Sequence, residues 1–501
     1  MKASINRKWW VLGALSFGLL AVGLDMTVLN VALPTLATEL HASMSELQWF
    51  ANSYNLVLAA ALLPAGMLGD RFGRKKLLLI ALILFGVASI GCAYSNTPEM
   101  LIGMRAILGL GAAFLIPLSM SVLPVLFSES ERTKAMMIWA TANMLGIPLG
   151  PIVGGWLLNH YQWGSVFLIN IPFVIVAILA VTFIMPESRS TSKPKLDILG
   201  VATSSIGLVC ITYGVIRAGE KGWSNTEVIL SLIIGVLVLL GFILWQQKSK
   251  NSLIDLSLFR SASFTWGAIL ATIISFALFG LLFGMPQYFQ AVGGADTFGT
   301  GIRLLPMIGG LIVGAKLADK FATRLGAKML VSIGFIFLAT GLVIGATTNV
   351  QTHYGFAAFW ISISGIGLGF ALPLVMDSAM GELSAERSGV GSALIMAMRQ
   401  VGGSIGVALL GTALNSNYRD HLNLSGLPAS MTDTVKQSAS AGVEIAHQLK
   451  STILLDSVQS AFVYGMNSML WLCGGLAILG IMLTWIFLPQ KMTVVEEKNV
   501  S

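Results

Sequence analysis

The chain has 501 residues, 55% of them hydrophobic and only 11% charged, with a mean hydropathy of +0.81. A soluble domain carries about 25% charged residues to wet its surface, so a water-soluble globule is excluded and part of the solvent must be hydrocarbon. The net charge of +7 lies in short loops between apolar runs, which excludes a nucleic-acid interface and fits retention of basic loops on one side of a membrane.

Apolar runs of about 20 residues span a bilayer as helices. In chain order they fall near Trp10–Leu33, Glu46–Leu68, Lys76–Tyr94, Glu99–Phe127, Lys134–Asn159, Gly164–Ile184 and Leu196–Ile216. The others fall near Glu227–Trp245, Phe264–Phe289, Thr300–Leu317, Ala327–Ala346, Tyr354–Met380, Gly389–Leu414 and Phe462–Leu488, which makes fourteen. The basic N-terminus leads into a run long enough to span and shows no small-residue cleavage site, so it reads as a first helix and not a removed leader. Cys92, Cys210 and Cys473 lie singly in apolar stretches, the five histidines form no metal motif, and no phosphate-binding loop is present. The expectation is therefore no metal, no cofactor and no ATPase engine, and no loop holds the acid, histidine and nucleophile cluster of an enzyme.

With the N-terminus inside, alternate loops collect twenty-one basic residues, and the opposite side holds five, three of them in one long segment. That asymmetry predicts both termini cytoplasmic, as an even helix count requires. The chain also repeats itself. Gly66-Met67-Leu68-Gly69-Asp70-Arg71-Phe72-Gly73-Arg74 closes the second span, and Asp319, Lys320, Arg324 and Gly326 close the tenth in the same way. Equivalent loops imply two six-helix halves related by parallel repetition, with the seventh and eighth spans inserted. The expected division is residues 1–186, an inserted pair at 187–262, a second bundle at 263–490 and a cytoplasmic tail at 491–501.

Asp25 lies about 15 residues into the first span, deep enough that an acid is costly unless it is protonated, paired or facing water. It is the candidate proton carrier; a structural role, bonded to Thr27 or Asn30, is the other reading. Arg105 in the fourth span cannot discharge and must meet a carboxylate, carbonyls or water. Asp70 ends a helix beside two partners, Arg71 and Arg74. In the fifth span Gly146, Gly150 and Gly154 recur every four residues, a stripe that lets another helix approach, while Pro148 and Pro151 remove backbone donors and should bend it.

Together these segments resemble the major facilitator superfamily, and within it the fourteen-helix, QacA-like drug:proton antiporters, over nearly the whole chain. The resemblance implies that Gly66, Asp70, Arg71, Gly73 and Arg74 form a cytoplasmic gate motif and that Gly146, Gly150, Pro151, Gly154 and Gly155 form the motif of exporters. It further implies proton coupling through Asp25 and Arg105, for which a helix-to-helix tether is the alternative role of Arg105. Leu24–Pro34, Phe167–Pro172 and Arg399–Gly403 match the same branch. The stretch Leu304–Leu311 lacks the acid that QacA carries there, and the acids of the thirteenth span are missing, which puts divalent cations in doubt as substrates.

The implied function is proton-coupled antiport of drugs or other small amphipathic compounds, cationic or zwitterionic ones among them, by a membrane-embedded monomer drawing on the proton gradient. A proton-coupled importer and an organic-anion or metabolite exporter of the same fold stay open, because nothing in helix physics fixes direction or cargo. Candidates for the substrate cavity are Asn30, Trp139, Asn143, Phe279, Phe283, Arg303, Met376, Arg399 and Gln400, with Phe276, Met285, Tyr288 and Met396 as further adaptable apolar wall. Asp377 and Glu382 read as solvated acids near a helix end. The segment from Asn415 to Ala461 is expected to be external, with a helix-start box at Ser430–Asp433 and a helical hairpin over the mouth.

Overall fold

The structure is a computed structural model, and it describes residues 5–42, 44–188, 197–249, 253–254, 256–381, 383, 388–424, 429–437 and 439–489. The first eight helices are α1 (Ile5–Glu39), α2 (Met44–Phe72), α3 (Arg74–Ala93), α4 (Pro98–Ser121), the single turn α5 (Leu123–Leu126), α6 (Glu129–His160), the single turn α7 (Ser165–Leu168) and α8 (Asn170–Ile184). They are followed by α9 (Ile198–Lys221), α10 (Thr226–Lys248), α11 (Ala262–Ala291), α12 (Thr297–Gly345), α13 (Tyr354–Met380) and α14 (Ser388–His421). Short helices α15 (Ala429–Gln437) and α16 (Ala439–Gln448) precede α17 (Thr452–Phe487). Among the described residues, thirteen helical segments are long and apolar enough to cross a membrane, α12 supplying two of them. The 32-residue α6 adds a further long helix, its apolar part Leu149–Leu158 following a charged first turn.

An all-helical chain of this hydropathy follows from the solvent: in hydrocarbon every backbone N–H and C=O must be satisfied within its own segment. Helix ends are closed by short polar side chains, which accept from orphan amides. Thr97 accepts from Met100 N (3.3 Å), Asn225 from Glu227 N (2.9 Å), Asp296 from Gly299 N (2.8 Å) and Ser451 from Leu454 N (3.2 Å). Both repeated loops turn at a glycine of positive φ, Gly73 (106°) between α2 and α3 and Gly326 (74°) inside α12. A side chain at either position would be strained.

Helices α1, α2, α3, α4, α6 and α8 pack on one another, and α11, α12, α13, α14 and α17 form a second group. The groups meet where α2 and α4 touch α14 and where α6 touches α12 and α13. Helix α9 lies against both α2 and α14, and α10 packs on α9. The apolar face of α10, including Ile233, Leu237 and Leu244, stays exposed, as a lipid-facing helix requires. The segment expected to be one long external loop is shorter, because α14 runs on to His421 and α17 begins at Thr452. The expected hairpin is present as α15 and α16, but they pack on each other, on α11 and on α17. Tyr418 Oη donates to Val435 O (2.8 Å), which ties α15 to the end of α14. The side chains of Ser430 and Asp433 lie outside the described residues, as do Glu382, Arg387 and the basic residues at 189–195.

Helices α9 and α10 are fixed together at one end by Asp197. Its carboxylate caps α9 through Gly200 N (2.9 Å) and accepts from Trp245 Nε1 (2.9 Å), Gln246 Nε2 (2.7 Å) and Leu253 N (3.2 Å). Burial pushes this carboxyl up, but the four donors outweigh it and hold it below the usual carboxylate range. A depressed acid contributes stability above its unfolded value, near pH 4, and that contribution is lost as pH falls through the lower folded value. Asp197→Ala is expected to cost about 2–3 kcal/mol in thermal or denaturant unfolding in detergent at pH 7, the scale of a lost cap plus charged hydrogen bonds. The wild-type advantage should persist to pH 5 and shrink below pH 4; a variant as stable as wild type at pH 7 would refute this.

Candidate functional site

At the end of the bundle that carries Asp70, the two groups are tied together by an interlocking set of hydrogen bonds. Asp70 Oδ1 accepts from Gly389 N (3.1 Å) and Oδ2 from Val390 N (3.0 Å), so this carboxylate of α2 caps the start of α14 in the other group. A helix N-terminus offers unpaired amides and a partial positive charge, which suits an anion. Arg74 Nη2 completes the cluster at 2.7 Å from Asp70 Oδ1, and both side chains are buried. Gly66 lies where a methyl group would collide with the Gly389 carbonyl, and a methyl on Gly389 would strike the Asp70 carboxylate. Gly66 is therefore required by the close approach of α2 to α14, whereas Gly73 is required by its positive φ. Arg71 sits over the Phe72 ring, 5.4 Å from its centroid.

Further ties run parallel. Ser388 Oγ donates to Ser121 O (3.0 Å) and Ser392 Oγ to Pro117 O (2.9 Å). Arg132 Nε lies 2.5 Å from Asp377 Oδ1, and Thr133 Oγ1 donates to Oδ2 (2.9 Å). Asp377 is thus a cross-bundle partner of α6, which corrects the expectation of a merely solvated acid. Its base lies 245 residues away, and no local pattern announces such a pair.

Inside the first group Asp25 is fully buried, and Arg105 Nη1 lies 2.5 Å from its Oδ2. Arg105 Nε donates to Phe50 O (2.9 Å), and the guanidinium stacks over Tyr54 with 4.7 Å to the ring centroid. Asn170 Nδ2 faces Asp25 Oδ1 (3.5 Å) and Ser89 Oγ (3.2 Å). One carboxylate and one guanidinium thus join α1, α4, α2 and α8 without water-exposed charge. Attraction in a low-dielectric interior offsets desolvation only with such close geometry and extra hydrogen bonds. Asn170, Ser89 and the Phe50 carbonyl are members that sequence reasoning missed, since neutral polar groups in apolar helices carry no distinguishing signal. Thr27, the suggested structural partner, instead faces the Gly23 and Leu24 carbonyls.

The glycine stripe of α6 seats α1 at this site. A methyl on Gly146 would come within 2.7 Å of Gly23 Cα, one on Gly154 within 2.6 Å of Val28 Cγ2, and one on Gly150 would strike Thr27 Oγ1. Gly155 faces α12 instead, with Phe298 about 4 Å from its added methyl. Pro151 is partly buried, and α6 continues as helix through Pro148 and Pro151 without a break.

Between the groups lies a cavity of about 380 Å³ bounded by α2, α9, α11 and α14. Asn52, Asn55, Gln400, Ser404, Thr412 and Asn415 give it a polar edge; Val215, Ile216, Phe279 and Phe283 give it an apolar one. A smaller space of about 60 Å³ adjoins it at Phe279 and Gln400 and is lined also by Met26, Asn143, Met396 and Arg399. Arg399 donates to Ser275 Oγ (2.9 Å) and lies near the sulfurs of Met376 (3.7 Å) and Met396 (3.6 Å). Phe279, Phe283, Asn143, Arg399 and Gln400 therefore line these adjoining spaces. Three candidates are placed elsewhere. Trp139 is buried and donates to Ser119 Oγ (3.0 Å), and Met376 touches Arg399 but lines neither space. Arg303 donates to Gly293 O (2.7 Å) between the rings of Phe289 and Tyr354, so aromatic stacking and a loop carbonyl hold it away from both spaces. The Asn30 side chain lies outside the described residues. Among the described residues, none of α15 or α16 lines the larger cavity. Asn52, Asn55, Ser404, Thr412 and Asn415 were missed, although Gln400, Ser404, Gly411 and Asn415 recur at helical spacing along one face of α14.

The sequence matches the Major Facilitator Superfamily over residues 15–407. It is 30% identical to the tetracenomycin C resistance and export protein of Streptomyces glaucescens, over 94% of this chain and 90% of that one. It is 33% identical to the multidrug efflux pump LfrA of Mycolicibacterium smegmatis (92% of each) and 29% identical to the multidrug export protein EmrB of Escherichia coli (95% and 94%). Among solved structures, the proton:xylose symporter XylE superposes with a TM-score of 0.62 at 16% identity, covering 97% of this chain and 96% of that one, which speaks to the fold alone. With its packed helical groups, repeated glycine turns and buried interhelical charge pairs, this chain is a multi-pass membrane transporter belonging to the Major Facilitator Superfamily.

Proposed function

We propose that the chain is a proton-coupled antiporter that exports drugs or other small amphipathic compounds across the cytoplasmic membrane by alternating access. The observation that carries this reading is the buried Asp25–Arg105 pair, one residue from Met26 on the wall of the space between the halves. A buried acid that must be paired or protonated gives a two-state element: protonation neutralises the carboxylate and frees the guanidinium, and the helices it ties can shift. The export functions named for the relatives support the direction.

In this reading the Asp70 end is cytoplasmic and closed, both termini are cytoplasmic, and the cavity belongs to the outward side. Residues 1–186 and 263–490 are the rocking halves, residues 187–262 the insertion, and the protein works as a monomer with protons as its only coupling partner. Gly146, Gly150, Pro151, Gly154 and Gly155 serve as the seam along which α1 moves against α6.

Purified protein in proteoliposomes with an imposed inward-acid gradient tests this directly. A panel of amphipathic dyes should move against the proton gradient, and adding substrate should dissipate that gradient. Co-directional movement of dye and protons would overturn the antiport reading in favour of symport.

A further inference from the structure

The inserted pair has a position that a spacer would not need. On the α6 side the halves meet directly, Ile152 against Gly301 and Gly155 against Phe298. On the opposite side α2 and α14 touch at the Asp70 end, and α9 lies against both of them. It is tied to each half: Ser205 Oγ donates to Ala60 O of α2 (2.6 Å), and Trp223 Nε1, just beyond α9, donates to Thr412 Oγ1 of α14 (3.1 Å). Thr412 itself lines the 380 Å³ cavity, as do Val215 and Ile216 of α9. Behind α9, α10 turns its bare apolar face outward.

We propose that α9 is the selectivity wall of the cavity, closing it against lipid with Val215 and Ile216 and limiting the size of the amphipathic molecule it accepts. The inference rests on the export reading and names the determinant of cargo. The occupant lays an apolar face on Val215, Ile216 and Phe279 and turns hydrogen-bonding groups toward Asn52, Asn55 and Gln400. Among the described residues no charged side chain lines this cavity, so recognition there runs through shape and neutral hydrogen bonds. Such a wall discriminates by volume, because a packed apolar surface tolerates little excess.

The test compares Ile216→Trp with Leu237→Trp, the latter on the lipid face of α10. Susceptibility and dye efflux are measured for amphipathic compounds graded in size. Ile216→Trp is expected to lose the larger compounds by about tenfold while keeping the smallest, and Leu237→Trp to follow wild type. Equal behaviour of the two variants across the panel would overturn the assignment. A second measurement covers a misfolded variant or a wild type that moves none of the panel, which would sink the export reading by itself. Ile216→Cys and Leu237→Cys are treated with a membrane-impermeant maleimide against the parent chain with its three cysteines. Labelling at least tenfold faster at 216 supports the wall, and equal rates refute it.

Discussion

Asp25→Asn is expected to abolish proton-coupled efflux, with transport falling at least about 100-fold, while the protein still inserts and binds substrate within about threefold of wild type. Asparagine fills the same volume and accepts from Arg105, but it cannot exchange a proton. The variant should therefore resemble one protonation state held permanently. Its distinguishing mark is the pH profile: substrate affinity and the outward–inward distribution vary with pH in wild type and become flat in Asp25→Asn. Undiminished efflux from energised vesicles, or a pH profile unchanged from wild type, would overturn the assignment.

The pair has a structural cost that must be separated from the coupling. Removing one partner of a buried ion pair typically costs about 3–5 kcal/mol, because the other charge is left without compensation. Here Arg105 keeps the Phe50 carbonyl and the Tyr54 ring, which moderates that loss. Asp25→Asn combined with Arg105→Gln removes both charges together and should recover most of the stability. Coupling should not return with it. Recovery of proton-driven transport in the double variant would make the pair a tether only.

The spans and the two intramembrane charges were legible because their signals are local: run length, hydropathy, and a charge where a charge is expensive. Helix ends were not. Helix α1 begins at Ile5 and runs to Glu39, and α17 begins ten residues ahead of Phe462, because hydropathy marks the hydrocarbon slab while backbone pairing continues through the interface. Asp70 was visible as the end of a helix, but its receptor, the first amides of α14, lies 319 residues away and has no side-chain signature. The same holds for Arg132 and Asp377. Arg303 misled because an arginine near an apolar run looks alike whether it faces a cavity or a loop carbonyl. The polar edge of the cavity was legible in principle as a stripe on α14, yet single Ser, Thr and Asn residues are common in such helices and did not stand out.

Replacing Asp70 should act on the opposite gate. Asp70→Asn keeps an acceptor oxygen for one amide of α14 but loses the charge, hence the dipole interaction and the charge-assisted bonds to Gly389, Val390 and Arg74. Interactions of this kind contribute about 2 kcal/mol in partly buried geometry. That shift corresponds to roughly a 30-fold change in the balance between closed and open forms of this end. The expected result is a population moved toward opening at the Asp70 end, read as longer spin-label distances between α4 and α14 there, with transport reduced at least about tenfold and stability lowered because Arg74 is left buried without its carboxylate. The Ser388, Ser392 and Arg132 ties persist, so the closed form should weaken without disappearing. Combining Asp70→Asn with Arg74→Gln tests the order of the contributions: if capping of α14 dominates, the double variant shows the same distances as the single one. Wild-type distances in Asp70→Asn would remove this carboxylate from the gate, because a cap that contributes nothing to closure leaves the distribution where it was.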